Sequence, residues 1–215
     1  MSDTPLRASL IATARQMNAC GLSKGTSGNV SVRWEDGYLI TPTGMDYVAL
    51  APDDIPFMGL DGRHEGSRQP SSEWRFHHDL YATRPEVGAI VHAHSPFAVS
   101  LACLRAEIPP FHYMIARFGG DTVRCADYAT FGTQALSDNI RAAMAGRSAC
   151  LMANHGMLVC GRDLKQALDL AVELETLCEQ YWRVCQLGSP NLLRADEMAE
   201  VLEKFAGYGQ QAEQA

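Results

Sequence analysis

Val87-Gly88-Ala89-Ile90-Val91-His92-Ala93-His94 is the stretch on which the fold and the chemistry of this chain both turn. A short apolar run of this kind reads as a buried β-strand, on which side chains two apart project to the same face. His92 and His94 then stand side by side on a rigid support, a ready-made pair of metal ligands. A third imidazole, His155, follows a second apolar strand (149–153) and precedes Gly156. Glu73, behind Ser71-Ser72 at the expected start of a helix, offers a carboxylate. Three histidines and a carboxylate suit Zn²⁺, and three histidines alone leave a position open for substrate. A lone strand histidine is usually a core or surface residue. An H-x-H pair closing one strand and a histidine closing another point instead to a metalloenzyme.

Outward from this strand, hairpins alternate with helices. Residues 5–20 place small, apolar and basic side chains at helical spacing, with Pro5 at the start and Gly21 at the end. Residues 27–33 and 38–41 read as strands around a turn at Glu35-Asp36-Gly37, and residues 55–60, closed by Asp61-Gly62, begin another strand pair. Ser71 or Ser72 is expected to cap a helix running to about Thr83 and stopped by Pro85. Pro96 opens a helix to about Leu104, and an irregular stretch then carries Tyr113 and Gly119-Gly120. Gly132-Thr133 precede a helix to about Ala145, and residues 149–153 and 157–160 are strands. Asp163 caps the longest helix, to about Leu187, whose apolar positions recur every three or four residues. After Gly188-Ser189-Pro190 a short final helix ends near Tyr208. With no repeat or linker, the pattern predicts one α/β domain over residues 1–215, a largely antiparallel sheet flanked by helices.

Composition narrows the function. A formal net charge of −7 over 215 residues, with a pI near 5.4, argues against nonspecific nucleic-acid binding. No apolar run approaches the roughly 18 residues that a membrane span needs, and Met1-Ser2-Asp3-Thr4-Pro5 lacks the features of a signal peptide. The seven cysteines (Cys20, Cys103, Cys125, Cys150, Cys160, Cys178, Cys185) are scattered, with no C-x-x-C pair, which fits reduced thiols and a cytoplasmic address. The only lysines are Lys24, Lys165 and Lys204, and none stands out as the desolvated amine of a Schiff-base enzyme. No G-x-S-x-G elbow or GKS/GKT phosphate loop occurs, so electrophilic work falls to a metal.

Three loops are rich in uncharged donors. Pro70-Ser71-Ser72-Glu73 puts hydroxyls beside the exposed amides of a helix start, where an anion is favoured. Gly25-Thr26-Ser27-Gly28-Asn29 and Thr41-Pro42-Thr43-Gly44 add glycines, hydroxyls and an amide. Each alone is a generic turn, and Glu73 alone would be a silent first-turn glutamate. Together they suggest a neutral nest for phosphate, which an acidic protein can offer without a cationic field. His77, one turn beyond Glu73, fits at most a supporting role behind the metal ligands, and His64 beside a turn reads as solvated.

The whole set resembles the class II aldolases of the fuculose-phosphate type, within the aldolase/epimerase superfamily. The matching segments are GTSGNVSVR (25–33), TPTG (41–44), SSEWRFH (71–77), VHAHS (91–95), HYMIARFGG (112–120), YATFGT (128–133) and NHG (154–156), in order over nearly the whole chain. The resemblance implies a single α/β/α domain assembled as a cyclic homotetramer, with active sites between subunits. It implies one Zn²⁺ per subunit (or Mn²⁺, Co²⁺ or Fe²⁺) on Glu73, His92, His94 and His155, with Glu73 also catalytic. It places phosphate on Gly28, Asn29, Thr43, Gly44, Ser71 and Ser72. Tyr113 becomes a catalytic acid supplied by a neighbouring subunit, Phe131 lines the aldehyde side and Tyr208 closes the site. Asn154, Ala93 and Ser95 depart from the usual pattern around the metal without removing a ligand.

The activity so implied is reversible cleavage of a ketose 1-phosphate, first L-fuculose 1-phosphate, to dihydroxyacetone phosphate and a short aldehyde such as L-lactaldehyde. A 5-methylthioribulose-1-phosphate/5-deoxyribulose-1-phosphate aldolase is the alternative, and a sugar-phosphate epimerase or dehydratase a further one. A zinc-stabilised structural domain is the non-enzymatic rival, but structural zinc sites are closed and have no use for a phosphate nest.

Overall fold

Eight strands cross residues 3–206, the part of the chain described by the computed structural model. They are β1 (Asn29–Trp34), β2 (Gly37–Ile40), β3 (Phe57–Gly59), β4 (His64–Glu65), β5 (Ala89–Ala93), β6 (Cys125–Ala126), β7 (Ala149–Met152) and β8 (Gly156–Gly161). One sheet joins them in the order β4-β3-β2-β1-β5-β8-β7-β6. Every neighbouring pair is antiparallel except β6–β7, so the largely antiparallel sheet read from the sequence is present. Six helices accompany it: α1 (Thr4–Ala19), α2 (Trp74–Thr83), α3 (Pro96–Ala102), α4 (Gln134–Ala143), α5 (Leu164–Leu187) and α6 (Ala195–Ala206). None of the described helices is long and apolar enough to cross a membrane.

The period-2 alternation of the strands builds two cores. On β5, Ala89, Val91 and Ala93 face a layer formed by α1, α3 and α5, whereas Ile90 faces α2 and α4. The second core packs Phe76, Leu80 and Tyr81 of α2 against Leu136 and Ile140 of α4 and against Cys150, Leu158 and Cys160 of the sheet. Burying a side chain such as Phe76 or Leu80 contributes about 1.5–3 kcal/mol. The result is helix layer, sheet, helix layer, with β5 at the centre between β1 and β8.

Local boundaries shift where tertiary contacts override sequence signals. The helix expected from Ser71 or Ser72 begins at Trp74, because Ser71 N is drawn into a bond with Thr41 O and Ser71 accepts from Glu73 N. Glu73 therefore sits at the cap and not in the first turn. β1 begins at Asn29, two residues later than expected, since Gly28 (φ 77) still belongs to the turn. The stretch read as irregular contains a 3₁₀ turn over Tyr113–Phe118, β4 is the partner strand expected after Asp61-Gly62, and the two-residue strand β6 carried no sequence signal. Asp163 does cap α5, accepting from Gln166 N at 2.7 Å. All seven cysteines are free, and Lys165 and Lys204 lie in exposed pairs with Asp169 and Glu200.

Candidate active site

Register, not loop length, assembles the site. Asn29 opens β1 directly opposite His92 near the end of β5, and Met157 near the start of β8 lies opposite Ala93. His92 is fully buried on the α2 side of the sheet, and its Nδ1 is 2.9 Å from Met157 O. A carbonyl only accepts, so Nδ1 carries the hydrogen and Nε2 presents a lone pair. His94 lies just beyond the strand, its backbone N–H donating to Ser23 Oγ at 3.4 Å. His155 follows Asn154, which takes a left-handed φ of 54° in the β7–β8 turn.

These elements bring Glu73, His92, His94 and His155 together with one ligand atom from each lying within 4.8 Å of the others. Nε2 of His92 and Nε2 of His94 are 3.0 Å apart, Glu73 Oε2 is 3.1 Å from His92 Nε2, and Glu73 Oε1 is 3.1 Å from His155 Nε2. Glu73 Oε1 is buried with no hydrogen-bond donor of its own. Lone pairs of three imidazoles and an undonated carboxylate oxygen facing a common point fit a divalent cation of the borderline kind that N/O sites prefer. Burial would lower His92, but the carboxylate of Glu73 and the bond to Met157 O outweigh it and raise it, so a bound cation takes the place of a proton on Nε2. Burial alone would raise Glu73, but the imidazoles of His92 and His155 outweigh it and hold the carboxyl well below its usual range. Burial together with His92 and His155 pushes His94 down to about 4, leaving it neutral.

The sequence-predicted phosphate loops converge beside this cluster. An isolated bridge pairs Pro42 with Pro70, Thr43 N donates to Gln69 O at 3.1 Å, and Thr41 exchanges hydrogen bonds with Val30. Thr43, Gly44 and Ser72 are exposed, whereas Asn29 and Ser71 are buried beside Glu73. Gly28 is required twice over. Its φ is left-handed, and a Cβ there would meet His92 O at 2.6 Å. Tyr47 fixes the same loop by donating to Gly28 O at 2.6 Å. Phe131 is 62 % exposed, on a loop whose Gly132 lies against the carbonyl of Ser72. Tyr113 is half exposed, and its ring stacks on Phe205 of α6 rather than joining the cluster within one chain. Tyr208 lies outside the described residues.

Sequence reasoning named His77 as a supporting residue and Asn29 for phosphate, but missed Ser31, Tyr81 and the bonds that join all four to Glu73. Asn29 Nδ2 donates to Glu73 Oε2 at 3.1 Å, and its Oδ1 is 2.5 Å from His77 Nε2. His77 Nδ1 is in turn 2.7 Å from Ser31 Oγ, which is 2.9 Å from the Tyr81 hydroxyl. A serine in mid-strand opposite the α2 face was the one available signal. Glu175, in mid-α5, was also missed; it accepts from Ser95 Oγ, Phe97 N and Ala98 N directly after His94.

A mixed sheet presenting a Glu/His₃ ligand set beside uncharged donor loops defines a metal-dependent enzyme. The chain belongs to the class II aldolase and adducin N-terminal domain family, whose model matches residues 8–182. It is 57 % identical over 208 residues to a 5-methylthioribulose-1-phosphate/5-deoxyribulose-1-phosphate aldolase of Rhodospirillum rubrum, covering 97 % of this chain and 94 % of that protein. It is 43 % identical over 215 residues to the L-fuculose phosphate aldolase of Escherichia coli (strain K12), covering all of both chains. A solved structure of an L-fuculose 1-phosphate aldolase superposes with a TM-score of 0.92 at 40 % identity, covering 96 % of this chain and 98 % of the other. The fold and family expected from the motifs are thus present, and the enzyme is an aldolase, a carbon–carbon lyase.

Proposed function

We propose that the protein reversibly cleaves a 5-deoxypentulose 1-phosphate, either 5-methylthioribulose 1-phosphate or 5-deoxyribulose 1-phosphate, to dihydroxyacetone phosphate and a short aldehyde. The carrying observation is the juxtaposition of the Glu73/His92/His94/His155 cluster with three uncharged donor loops. L-Fuculose 1-phosphate, yielding L-lactaldehyde, is the second reading. Full-length identity of 43 % to a fuculose phosphate aldolase supports it, and 57 % identity to the methylthioribulose-phosphate relative sets the order.

In this reading Gly28, Asn29, Thr43, Gly44, Ser71 and Ser72 hold the phosphate and so fix the position of the scissile bond. Glu73, His92, His94 and His155 hold one divalent ion per subunit, zinc first and Mn²⁺, Co²⁺ or Fe²⁺ as substitutes. The bound ion supplies Lewis acidity for the negative charge that carbon–carbon cleavage beside a ketone creates. Glu73 exchanges the proton at the triose carbon, and Tyr113 exchanges that of the hydroxyl which becomes the aldehyde. Phe131 lines the aldehyde side, an apolar surface suited to a terminal methyl or thioether. Apolar pockets discriminate by only about 1–3 kcal/mol per methylene, so several aldehydes are accepted.

Tyr113 reaches the reaction from a neighbouring subunit of a homotetramer in the cytoplasm. Half exposure of Tyr113 and Tyr128, with Leu104 72 % exposed, supports a surface covered by assembly. The test is a panel of the three ketose 1-phosphates with metal-loaded protein, assayed for dihydroxyacetone phosphate. Cleavage of none, with epimerisation or dehydration of a sugar phosphate instead, overturns the aldolase reading. Mixing inactive Tyr113→Phe and Glu73→Gln protomers should restore activity. No recovery after verified subunit exchange would mean that each site is built within one chain.

A further inference from the structure

Behind the active carboxylate, five buried side chains form a continuous line: Tyr81, Ser31, His77, Asn29 and Glu73, each no more than 7 % exposed. The successive separations are 2.9, 2.7, 2.5 and 3.1 Å. The line alternates between α2 and β1 and ends at the cap of α2, and the register of β1 places both Asn29 and Ser31 on the face it needs.

Donor and acceptor capacities allow one consistent arrangement. An ionised carboxylate only accepts, so the –NH₂ of Asn29 faces Glu73 and Oδ1 faces His77. An amide oxygen only accepts, so Nε2 of His77 carries the hydrogen and Nδ1 is a lone pair. Ser31 must then give its hydroxyl hydrogen to Nδ1, and Tyr81 must give its own to Ser31. All four bonds therefore point the same way, toward Glu73. Burial pushes His77 down to about 3, so the ring is the neutral donor this scheme requires.

We propose that His77 is a positioning residue for Glu73: its Nε2–H locks the amide of Asn29 so that Nδ2–H, not Oδ1, meets the carboxylate. An Asn29 side chain turned the other way would set an amide oxygen about 3 Å from a carboxylate oxygen, two acceptors in a buried space, and Glu73 would be displaced. Nδ2 has two hydrogens and spends one on Glu73, so the same residue can still serve a phosphate. The catalytic part of the proposal rests on Glu73 being the proton-exchanging residue of the aldolase reading.

The test exploits isosteres. His77→Gln extends an amide N–H out to the place of Nε2, His77→Asn reaches only as far as Nδ1, and His77→Phe fills the volume with no donor. Partners standing behind metal ligands typically change affinity or activity by about 10–100-fold. We expect His77→Phe and His77→Asn to lower kcat within that range with KM altered less than about threefold, and His77→Gln to stay within about fivefold of wild type. Zn²⁺ affinity, measured by chelator competition, should weaken about tenfold in the first two and recover in the third. A role in packing alone predicts that Phe performs at least as well as Gln, and that result overturns the proposal. Should the His77 variants fail to fold, two measurements remain. ¹⁵N NMR of histidine-labelled wild type must show the Nε2–H tautomer at His77, and Ser31→Ala must weaken Zn²⁺ binding; an Nδ1–H tautomer or unchanged affinity refutes it. If the wild type cleaves no ketose 1-phosphate, the aldolase reading falls while metal affinity and tautomer still decide the role of His77.

Discussion

Substitution of Glu175 should damage both the stability of the fold and the grip on the metal, through the first turn of α3. Of the amides that open this helix, Pro96 supplies none, Phe97 and Ala98 donate to Glu175 at 2.8 and 2.9 Å, and Val99 donates to Ser95 O. The Ser95 hydroxyl adds a third bond to the same carboxylate at 2.6 Å. Glu175→Ala leaves two backbone N–H groups without a partner and the Ser95 hydroxyl with only Met157 Sδ at 3.6 Å, at about 1–3 kcal/mol for each unpaired group when buried. Ser95 and Ala98 are fully buried while Phe97 is partly open, so one of the three can turn to water. The expected loss is about 3–5 kcal/mol, a large fraction of a typical 5–15 kcal/mol total. Glu175→Gln keeps one acceptor oxygen but sets an –NH₂ against an N–H donor, at about 2 kcal/mol. Urea titration of the metal-free protein reads both values as shifts of midpoint at constant slope. Because Ser95 follows His94 directly, chelator competition should show weaker Zn²⁺ binding in step with the lost stability. A loss below about 1 kcal/mol for Glu175→Ala would refute the claim that this carboxylate anchors the segment behind the ligand.

Two further outcomes follow from the site itself. Stripping the metal with a chelator, or His92→Ala, should abolish turnover while circular dichroism stays native, since the histidines sit at strand ends and Glu73 at the cap of α2, with none of the four in either apolar core; unfolding on chelation would mark the ion as structural. Saturating Zn²⁺ should then raise the stability of the wild type, by about 4 kcal/mol at a thousandfold excess over Kd, and leave His92→Ala unchanged. For pH, His77 titrates at an ordinary 6.5 when unfolded and at about 3 in the fold. The unfolded chain binds the extra proton between these values, so stability is complete above pH 6.5 and falls as pH drops toward 3. Removing the group in His77→Gln should therefore flatten the dependence in that window by up to about 1.4 kcal/mol per pH unit in urea titrations of the metal-free protein. An unchanged slope would refute the buried neutral state.

The features legible in the sequence are those whose cause is local. The period-2 pattern and apolar run of residues 87–94 disclose the central strand and put His92 on one face, because strand geometry leaves no other choice. Asp163 announces the start of α5 by a capping bond that spans only three residues. The motif set carries the family because its loops are short and their glycines answer to backbone conformation, as at Gly28. Contacts between distant segments were not legible. Nothing near Ser71 discloses that Thr41 O will take its amide and delay α2 to Trp74, and nothing near Glu175 discloses that it will serve α3, seventy-seven residues earlier in the case of Ala98. The two-residue strand β6 is fixed by its neighbours and has no pattern of its own. His77 was read only as a residue behind the metal ligands, and its partners needed the register of β1 on β5.

That register also explains why the ligands are held in different ways. His92 is fixed by its own Nδ1–H on a central strand, and the backbone of His94 is tied to Ser23. Glu73 stands at a helix cap, where the chain has left one regular element and not entered the next, and it is steered by two neighbours: its backbone amide donates to Ser71 Oγ and its carboxylate accepts from Asn29. Both neighbours are residues proposed to hold the phosphate. A phosphate that engages Ser71 and Asn29 acts on the two residues that position Glu73, the first through its backbone amide and the second through its carboxylate. On the proposed reading, the non-reacting end of the substrate is then coupled to the residue that exchanges the proton, so that binding energy remote from the scissile bond is spent on the catalytic step rather than on affinity alone.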